Sequence, residues 1–277
     1  MKLGIWSTYY YDLSPEDAVK EFLKNGIDAC ELSDEHGAVL LERDEDVVAT
    51  GKRFAAFLRE HNFSIPQGHL WLYVKICSDE NVLPRLYRWI DLYEAIGIKN
   101  MVLHCDSLVA EEADFETRVE KNVEQLKHLA AYVEGRDVML CLENLRGTTP
   151  NDPCAFPRNA DELLYIIDRV GSDRLGICLD TGHLNLTDKA QRAFILKAGK
   201  RLRALHIADN EGERDQHLMP FTCGKVDFCE VVRALREVGY DGLFNLEIPG
   251  EWRIPLELRA AKIRYIQACY DYLMRCE

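Results

Sequence analysis

Val138-Met-Leu-Cys-Leu-Glu143, Leu175-Gly-Ile-Cys-Leu-Asp180, Leu202-Arg-Ala-Leu-His206 and Leu243-Phe-Asn-Leu-Glu247 share one plan: a short apolar run that ends in a carboxylate or an imidazole. Runs of this length and composition read as buried parallel strands. Strand side chains alternate faces, so Glu143 shares a face with Cys141 and Met139, and Asp180 shares one with Cys178 and Gly176. A carboxylate or imidazole at the end of a buried strand has lost much of its water and needs a partner. Three anionic groups and one ring nitrogen have an obvious common partner, a divalent cation.

Strand-like and helix-like stretches alternate on both sides of these runs. Upstream, residues 3–6, 27–32, 63–69 and 100–104 read as four more strands, of which the third is weakened by Pro66. Ser14 is a helix N-cap followed by Pro15 at the first helical position, and Asn25-Gly26 ends that helix. Further helices are expected over about 45–60, around Leu83, Leu86, Ile90 and Tyr93, and along Phe115, Val119, Val123 and Leu126. Asn159 caps another, and three more fall near 190–200, around Phe228 to Leu235, and over about 255–274. A longer proline-containing connection spans 146–158. Eight strand–helix units in 277 residues approach the roughly 250 residues typical of a barrel. The expected fold is therefore an α/β (β/α)8 TIM barrel, a single domain over residues 1–277 with no linker. A doubly wound open sheet would carry a glycine fingerprint after its first strand, and Trp6-Ser-Thr-Tyr-Tyr is not one. In a barrel the chemistry sits at the C-terminal strand ends, where the four groups fall.

Composition narrows the partners. The formal net charge of -13 makes nucleic acid or an anionic membrane a poor default partner. Ten cysteines include no C-x-x-C pair, and Cys105, Cys141 and Cys178 lie in apolar runs. That usage reads as a reducing cytosol rather than a disulfide framework, and a cytoplasmic location is expected. The N-terminus has no signal-peptide apolar region, and no apolar stretch is long enough to span a bilayer.

Each group has a bland reading too. Glu143 can pair with nearby Arg146, Asp180 can be a helix cap, His206 a core histidine and Glu247 a loop residue. It is their conjunction, at equivalent points of strands five to eight, that favours a metal. His69 and His104 end strands three and four, His183 follows Asp180 by three residues, and Asp215 and His217 lie in the loop after strand seven. These five read equally well as further metal ligands or as the polar lining of a wet pocket. Trp6, Trp71 and Trp252 are either packing residues or platforms for the apolar face of a sugar.

The motifs Leu142-Glu143-Asn144, Asp180-Thr-Gly-His183, His206-Ile-Ala-Asp209-Asn210 and Leu246-Glu247 resemble the xylose isomerase-like TIM-barrel superfamily, which includes sugar isomerases, ketose 3-epimerases and endonuclease IV. The resemblance to the ketose 3-epimerases implies that Glu143, Asp180, His206 and Glu247 hold Mn²⁺ or Co²⁺, with both glutamates also serving as acid and base. It implies that His183 contacts substrate. An arginine six residues after the metal histidine does so in those enzymes; here that position is Gly212, and Arg214 is the nearest arginine. Endonuclease IV holds three Zn²⁺ ions, and His69, His104, Asp215 and His217 stand in its corresponding places. More than one ion is therefore within reach of this ligand set.

Isomerising or epimerising a ketose removes a proton beside a carbonyl, and a metal-stabilised enediolate lowers the cost. Glu143 and Glu247, on strands five and eight, suit removal on one face and return on the other. Asn144, Asp209 and Asn210 are expected to orient the ligands. The O/N donor set suits Mn²⁺, Co²⁺, Mg²⁺ or Zn²⁺. The expected function is a divalent-metal-dependent isomerase or epimerase acting on a small carbohydrate, a derivative or a sugar phosphate, with homo-oligomerisation open. The alternatives are an endonuclease IV-like phosphodiesterase on abasic DNA and a binding protein without turnover. Arg146, Arg158, Arg214 and Arg253 all follow strand ends and are the candidates for holding an anion; Trp71 and Arg214 are the expected substrate contacts beside His183.

Overall fold

The eight apolar runs become one parallel sheet, in the order β7-β6-β5-β4-β3-β2-β1-β8, in a computed structural model that describes residues 1–77, 81–108, 113–147 and 155–276. The chain runs through β1 (Lys2–Trp6), α1 (Pro15–Lys24), β2 (Ala29–Leu32), α2 (Asp34–Leu41), α3 (Val47–Glu60), β3 (Ser64–His69), α4 (Val82–Ile96), β4 (Asn100–Leu103) and α5 (Phe115–Tyr132). It continues through β5 (Met139–Glu143), α6 (Ala160–Val170), β6 (Leu175–Asp180), α7 (Thr181–Leu186), α8 (Gln191–Ala198), β7 (Leu202–His206), α9 (Phe228–Glu237), β8 (Leu243–Leu246) and α10 (Leu256–Leu273). Between β7 and β8 the ladder closes through Ile207, which donates to Asn245 O at 2.7 Å and accepts from Glu247 N at 3.1 Å. The architecture is a (β/α)8 barrel.

Local signals account for the helix ends. Ser14 Oγ accepts from Asp17 N and Asn159 Oδ1 from Glu162 N, each capping its helix as expected. Outward-facing strand residues such as Ile5, Leu32, Leu140 and Ile177 pack with the helices into one large core. On β4 to β7 the barrel interior below its C-terminal mouth is lined by Val102, Cys141, Cys178 and Ala204. These small side chains suit a narrow lumen and leave the charged strand ends as the layer above.

Three expectations need correction. Helix α2 lies between the second strand and the helix expected from about residue 45, where the sequence reading assigns no element; Ser33 Oγ caps it through His36 N, an N-cap signal directly after the buried strand run. The helix read near 190–200 is α8, and a further short helix, α7, starts directly at Asp180. Cys229 and Cys276 form a disulfide despite a spacing of 47 residues. The end of the chain folds back on α9, where Arg236 donates to the carbonyls of Met274 and Cys276, so the two thiols meet. Much of the connection read at 146–158 lies outside the described residues. No helix among the described residues is long and apolar enough to cross a membrane.

Candidate active site

Strand register sets the site. Asp180 lies abreast of His206, and Glu143 abreast of Cys178 one step below, so all three side chains enter the same end of the lumen. Glu247 follows β8 by one residue and joins them. Ligand atoms of Glu143, Asp180, His206 and Glu247 all lie within 4.8 Å of one another. His206 Nδ1 is 2.9 Å from Glu247 Oε2 and 3.2 Å from Glu143 Oε2. All four residues are buried, the most exposed being Glu247 at 8 %.

Asp180 takes the helix-cap role, with one oxygen left over. Oδ1 accepts from His183 N at 2.6 Å and caps α7. Its other oxygen, Oδ2, is buried without a hydrogen-bond partner, as are His206 Nδ1 and Glu247 Oε2. Each orphaned atom costs free energy unless something fills the point it faces. Three carboxylates crowd one buried imidazole. Burial pushes the Asp180 carboxyl up to about 7 against the pull of His183, with Glu247, Glu143 and Asp215 adding to the rise. Burial also opposes charge on Glu247, but His206 outweighs it and holds that group down at about 2. A cluster that must take up a proton to relieve its own charge fits a divalent cation, and its O/N donors match Mn²⁺, Co²⁺, Mg²⁺ or Zn²⁺.

Two further groups flank this one. His69 Nε2 and His104 Nε2 lie 3.5 and 3.1 Å from Glu143 Oε2, a second cluster with ligand-like spacing. On the other flank Asp215 Oδ2 lies 3.4 Å from His183 Nε2 and 3.1 Å from His217 Nε2. One ring nitrogen of each of three histidines meets a carbonyl: His69 Nδ1 at Leu70 O, His217 Nδ1 at Glu247 O, and His183 Nδ1 at Asn144 O, the last also 3.2 Å from Glu143 Oε1. A carbonyl only accepts, so these nitrogens carry protons, and each Nε2 faces the site. Burial opposes charge on His217, but Asp215 and Glu247 raise it to about 10.

Above the floor opens a cavity of about 760 Å³, lined by Trp6, Thr8, Leu72, Tyr73, Val74, Lys75, Ser107, Leu145, Gln216 and Pro249, together with the histidines and glutamates. Arg146 also lines it, its Nε 2.9 Å from Asp215 Oδ2; its partner is thus the rim carboxylate, not Glu143. Two expected substrate contacts lie elsewhere. Trp71 faces a neighbouring cavity of about 450 Å³, where Arg85 stacks on its ring at 3.9 Å. The chain turns just past β3, so Leu72 and Tyr73 reach the main cavity instead. Arg214 is exposed and not part of the lining. Arg158 pairs with Glu162, and Arg253 stacks on Trp252, which is 55 % exposed. Asn144 braces the end of β6: it accepts from Asp180 N and donates to Asp180 O. Asp209 and Asn210 act one step removed. Asp209 Oδ1 accepts from Asn210, Lys225 and Val226 N, and Asn210 binds Gly182 O, fixing the loop that carries Asp215 and His217. Gly224 is required there, because a Cβ would lie 2.0 Å from Asp209.

Glu31, Gln67 and Asn245 escaped the sequence reading. They form a buried polar layer under His206, whose Nε2 lies 3.0 Å from Glu31 Oε1. The available signal was a lone glutamate inside the apolar run Ala29-Cys-Glu-Leu32.

The chain matches the sequence family described as xylose isomerase-like TIM barrel over residues 19–269. Fructoselysine 3-epimerase of Escherichia coli O157:H7 is 31% identical over 125 residues, covering 45% of this chain and 44% of that protein. A probable endonuclease 4 of Mycoplasmopsis synoviae is 29% identical over 140 residues, covering 48% of each. The chain thus spans about half the length of these relatives. The crystal structure of a D-tagatose 3-epimerase-like protein superposes with a TM-score of 0.77 at 22% identity, over 99% of this chain and 98% of that one.

Proposed function

Since the chain belongs to the xylose isomerase-like TIM-barrel family, we propose that it is a divalent-metal-dependent epimerase or isomerase of a small ketose or ketose derivative. One observation carries the reading: Glu143 and Glu247 converge from β5 and β8 on the same point, 3.2 and 2.9 Å from His206 Nδ1, beneath a cavity of about 760 Å³. Glu143, Asp180, His206 and Glu247 would hold the ion. When bound, it supplies a Lewis acid for the substrate's carbonyl and neighbouring hydroxyl oxygens.

The remaining chemistry belongs to the chain. One glutamate takes the proton from the carbon beside the carbonyl, and the other returns a proton to the opposite face, which inverts that carbon. Return by the same glutamate to the adjacent carbon gives aldose–ketose isomerisation. His183, with Nδ1 tied to Asn144 O, offers Nε2 to a hydroxyl. Thr8, Ser107 and Gln216 offer further polar groups, while Trp6, Leu72 and Tyr73 give the apolar face of a sugar a surface to pack on. Among the four arginines that follow strand ends, only Arg146 lines the cavity, which suits a small neutral or singly anionic substrate better than a nucleic-acid backbone. The relatives named as 3-epimerases support the same class.

A second reading has its own support. The flanking clusters at His69/His104 and at His183/Asp215/His217 extend the donor set beyond one ion, and some relatives are probable endonucleases. A multinuclear centre of that kind suits phosphodiester hydrolysis. The test sets metal-loaded protein against a panel of ketoses, ketose phosphates and ketosamines, beside an abasic-site oligonucleotide. EDTA-sensitive formation of an epimer or aldose is expected. Efficient EDTA-sensitive incision with no change in any sugar would overturn the proposal in favour of the second reading.

A further inference from the structure

Below the four candidate ligands the barrel interior divides in two. On β4 to β7 it is apolar, filled by Val102, Cys141, Cys178 and Ala204. On β2, β3 and β8 it holds Glu31, Gln67 and Asn245, all at most 1 % exposed. A carboxylate this deep serves no packing purpose and must be compensated. The means are visible. The pairing of β2 with β3 shifts register at the step containing Pro66, and the shift brings Gln67 abreast of Glu31. Asn245 sits two residues before Glu247 and so points into the same lumen one layer lower. Gln67 Nε2 donates to Glu31 Oε2 at 2.9 Å, and Asn245 Nδ2 donates to the same oxygen. Committing both amides this way leaves Gln67 Oε1 and Asn245 Oδ1 buried without partners. Two unmet acceptors are tolerated so that Glu31 is held in place. Its remaining oxygen, Oε1, faces His206 Nε2 at 3.0 Å.

We propose that Glu31 is the positioning residue of the metal centre: locked by Gln67 and Asn245, it holds the His206 proton on Nε2 and aims Nδ1 between Glu143 and Glu247. The inference rests on the metal-site reading above. An imidazole ligates through the nitrogen that lacks the proton, so whatever fixes the proton chooses the ligand atom. For His69 and His217 the backbone fixes it, through the carbonyls of Leu70 and Glu247, while His183 Nδ1 lies between Asn144 O and Glu143 Oε1. For His206 a side chain does, and a carboxylate makes a ligating imidazole more basic than a carbonyl does. Glu31 touches no substrate and acts only through His206.

The test uses Zn²⁺, which is diamagnetic, and compares the wild type with Glu31→Gln and Glu31→Ala. Metal affinity is read by competition with a chromophoric chelator. The His206 ring is read by ¹⁵N-histidine NMR of the zinc-loaded protein, assigned with His206→Asn. The expected wild-type signature is a slowly exchanging, strongly hydrogen-bonded Nε2–H, with Nδ1 bound to the ion. Glu31→Ala is expected to weaken Zn²⁺ binding by roughly 10–100-fold and to lose the slow proton. Glu31→Gln, which keeps an acceptor oxygen, is expected to fall between and to keep a weaker Nε2–H signal. Folded variants that bind Zn²⁺ as the wild type does, with an unchanged Nε2–H, would overturn the assignment. So would failure of both variants to fold, which would make Glu31 a structural residue. A wild type that binds no ion would instead overturn the metal reading itself.

Discussion

The floor and the rim of this cavity are built differently. The floor takes Glu143, Asp180 and His206 from the last residues of three adjacent strands and Glu247 from the residue after a fourth, all nearly without exposure. The rim takes Asp215, His217 and Gln216 from the loop after β7, and Tyr73 and Lys75 from the turn after β3. Strand register fixes the floor to within a residue. The rim depends on loop-internal bonds, chiefly Asp209 Oδ1 with three backbone N–H groups and the Arg146–Asp215 pair. On the proposed function, the floor is the place for a fixed chemistry and the rim the place where substrate range is set.

On that division, floor substitutions are expected to remove function and rim substitutions to tune it. The largest effect is expected from Glu143→Gln and Glu247→Gln, each lowering turnover by at least about 10²–10⁴-fold while the circular dichroism spectrum stays that of the wild type. Steady-state assay of the sugar product measures it. Asp180→Asn is expected to weaken metal binding beyond the roughly 10–100-fold typical of losing an outer-shell partner, because it removes a charged ligand outright; chelator competition reads this. At the rim, Arg146→Ala breaks a half-exposed ion pair, so its effect is expected to stay within about fivefold, in KM rather than kcat. A loss of kcat as large as that of the floor variants would erase the distinction.

The smallest effect concerns pH and the metal-free protein. His217 is raised from 6.5 to about 10 because Asp215 and Glu247 outweigh its burial. Its stabilising contribution is therefore complete below pH 6.5 and is lost as pH rises through about 10. Glu247 is lowered from 4.5 to about 2, so its contribution is present above pH 4.5 and is lost as pH falls through about 2. The Tm of the metal-free protein is expected to fall between pH 7 and 10, by roughly 2–4 °C for each kcal/mol lost. His217→Asn should flatten that alkaline slope. An unchanged slope in the variant would detach His217 from the Asp215 network.

The same division explains what the sequence could convey. The floor was legible because a charged residue that closes a short apolar run declares both its strand and its end. The rim was legible only in part. Asp215 and His217 lie where expected, but one residue of curl past β3 sends Trp71 into a neighbouring cavity and brings Tyr73 to the mouth. Arg146 and Arg214 are equally basic on paper, yet only Arg146 reaches the cavity, because it lies three residues past the end of β5 while Arg214 sits in an exposed part of a loop. Glu31 was missed for a different reason. Its meaning depends on Gln67 and Asn245, 36 and 214 residues away, brought together by a register shift that no periodicity encodes. Helix α2 is hard to see in the sequence because its Ser33 cap follows the strand at once, with no loop to announce it.

The central claim is that Glu143 and Glu247 move a proton at a carbon beside a carbonyl. Solvent exchange tests it most directly. Metal-loaded protein is incubated in D₂O with each member of the ketose panel, and proton NMR follows the carbon next to the carbonyl. The expected result is deuterium at that carbon together with the inverted or isomerised sugar, abolished by EDTA and by either glutamine variant. Exchange that persists in both glutamine variants, or its absence from every ketose while the abasic oligonucleotide is cut, would contradict the account.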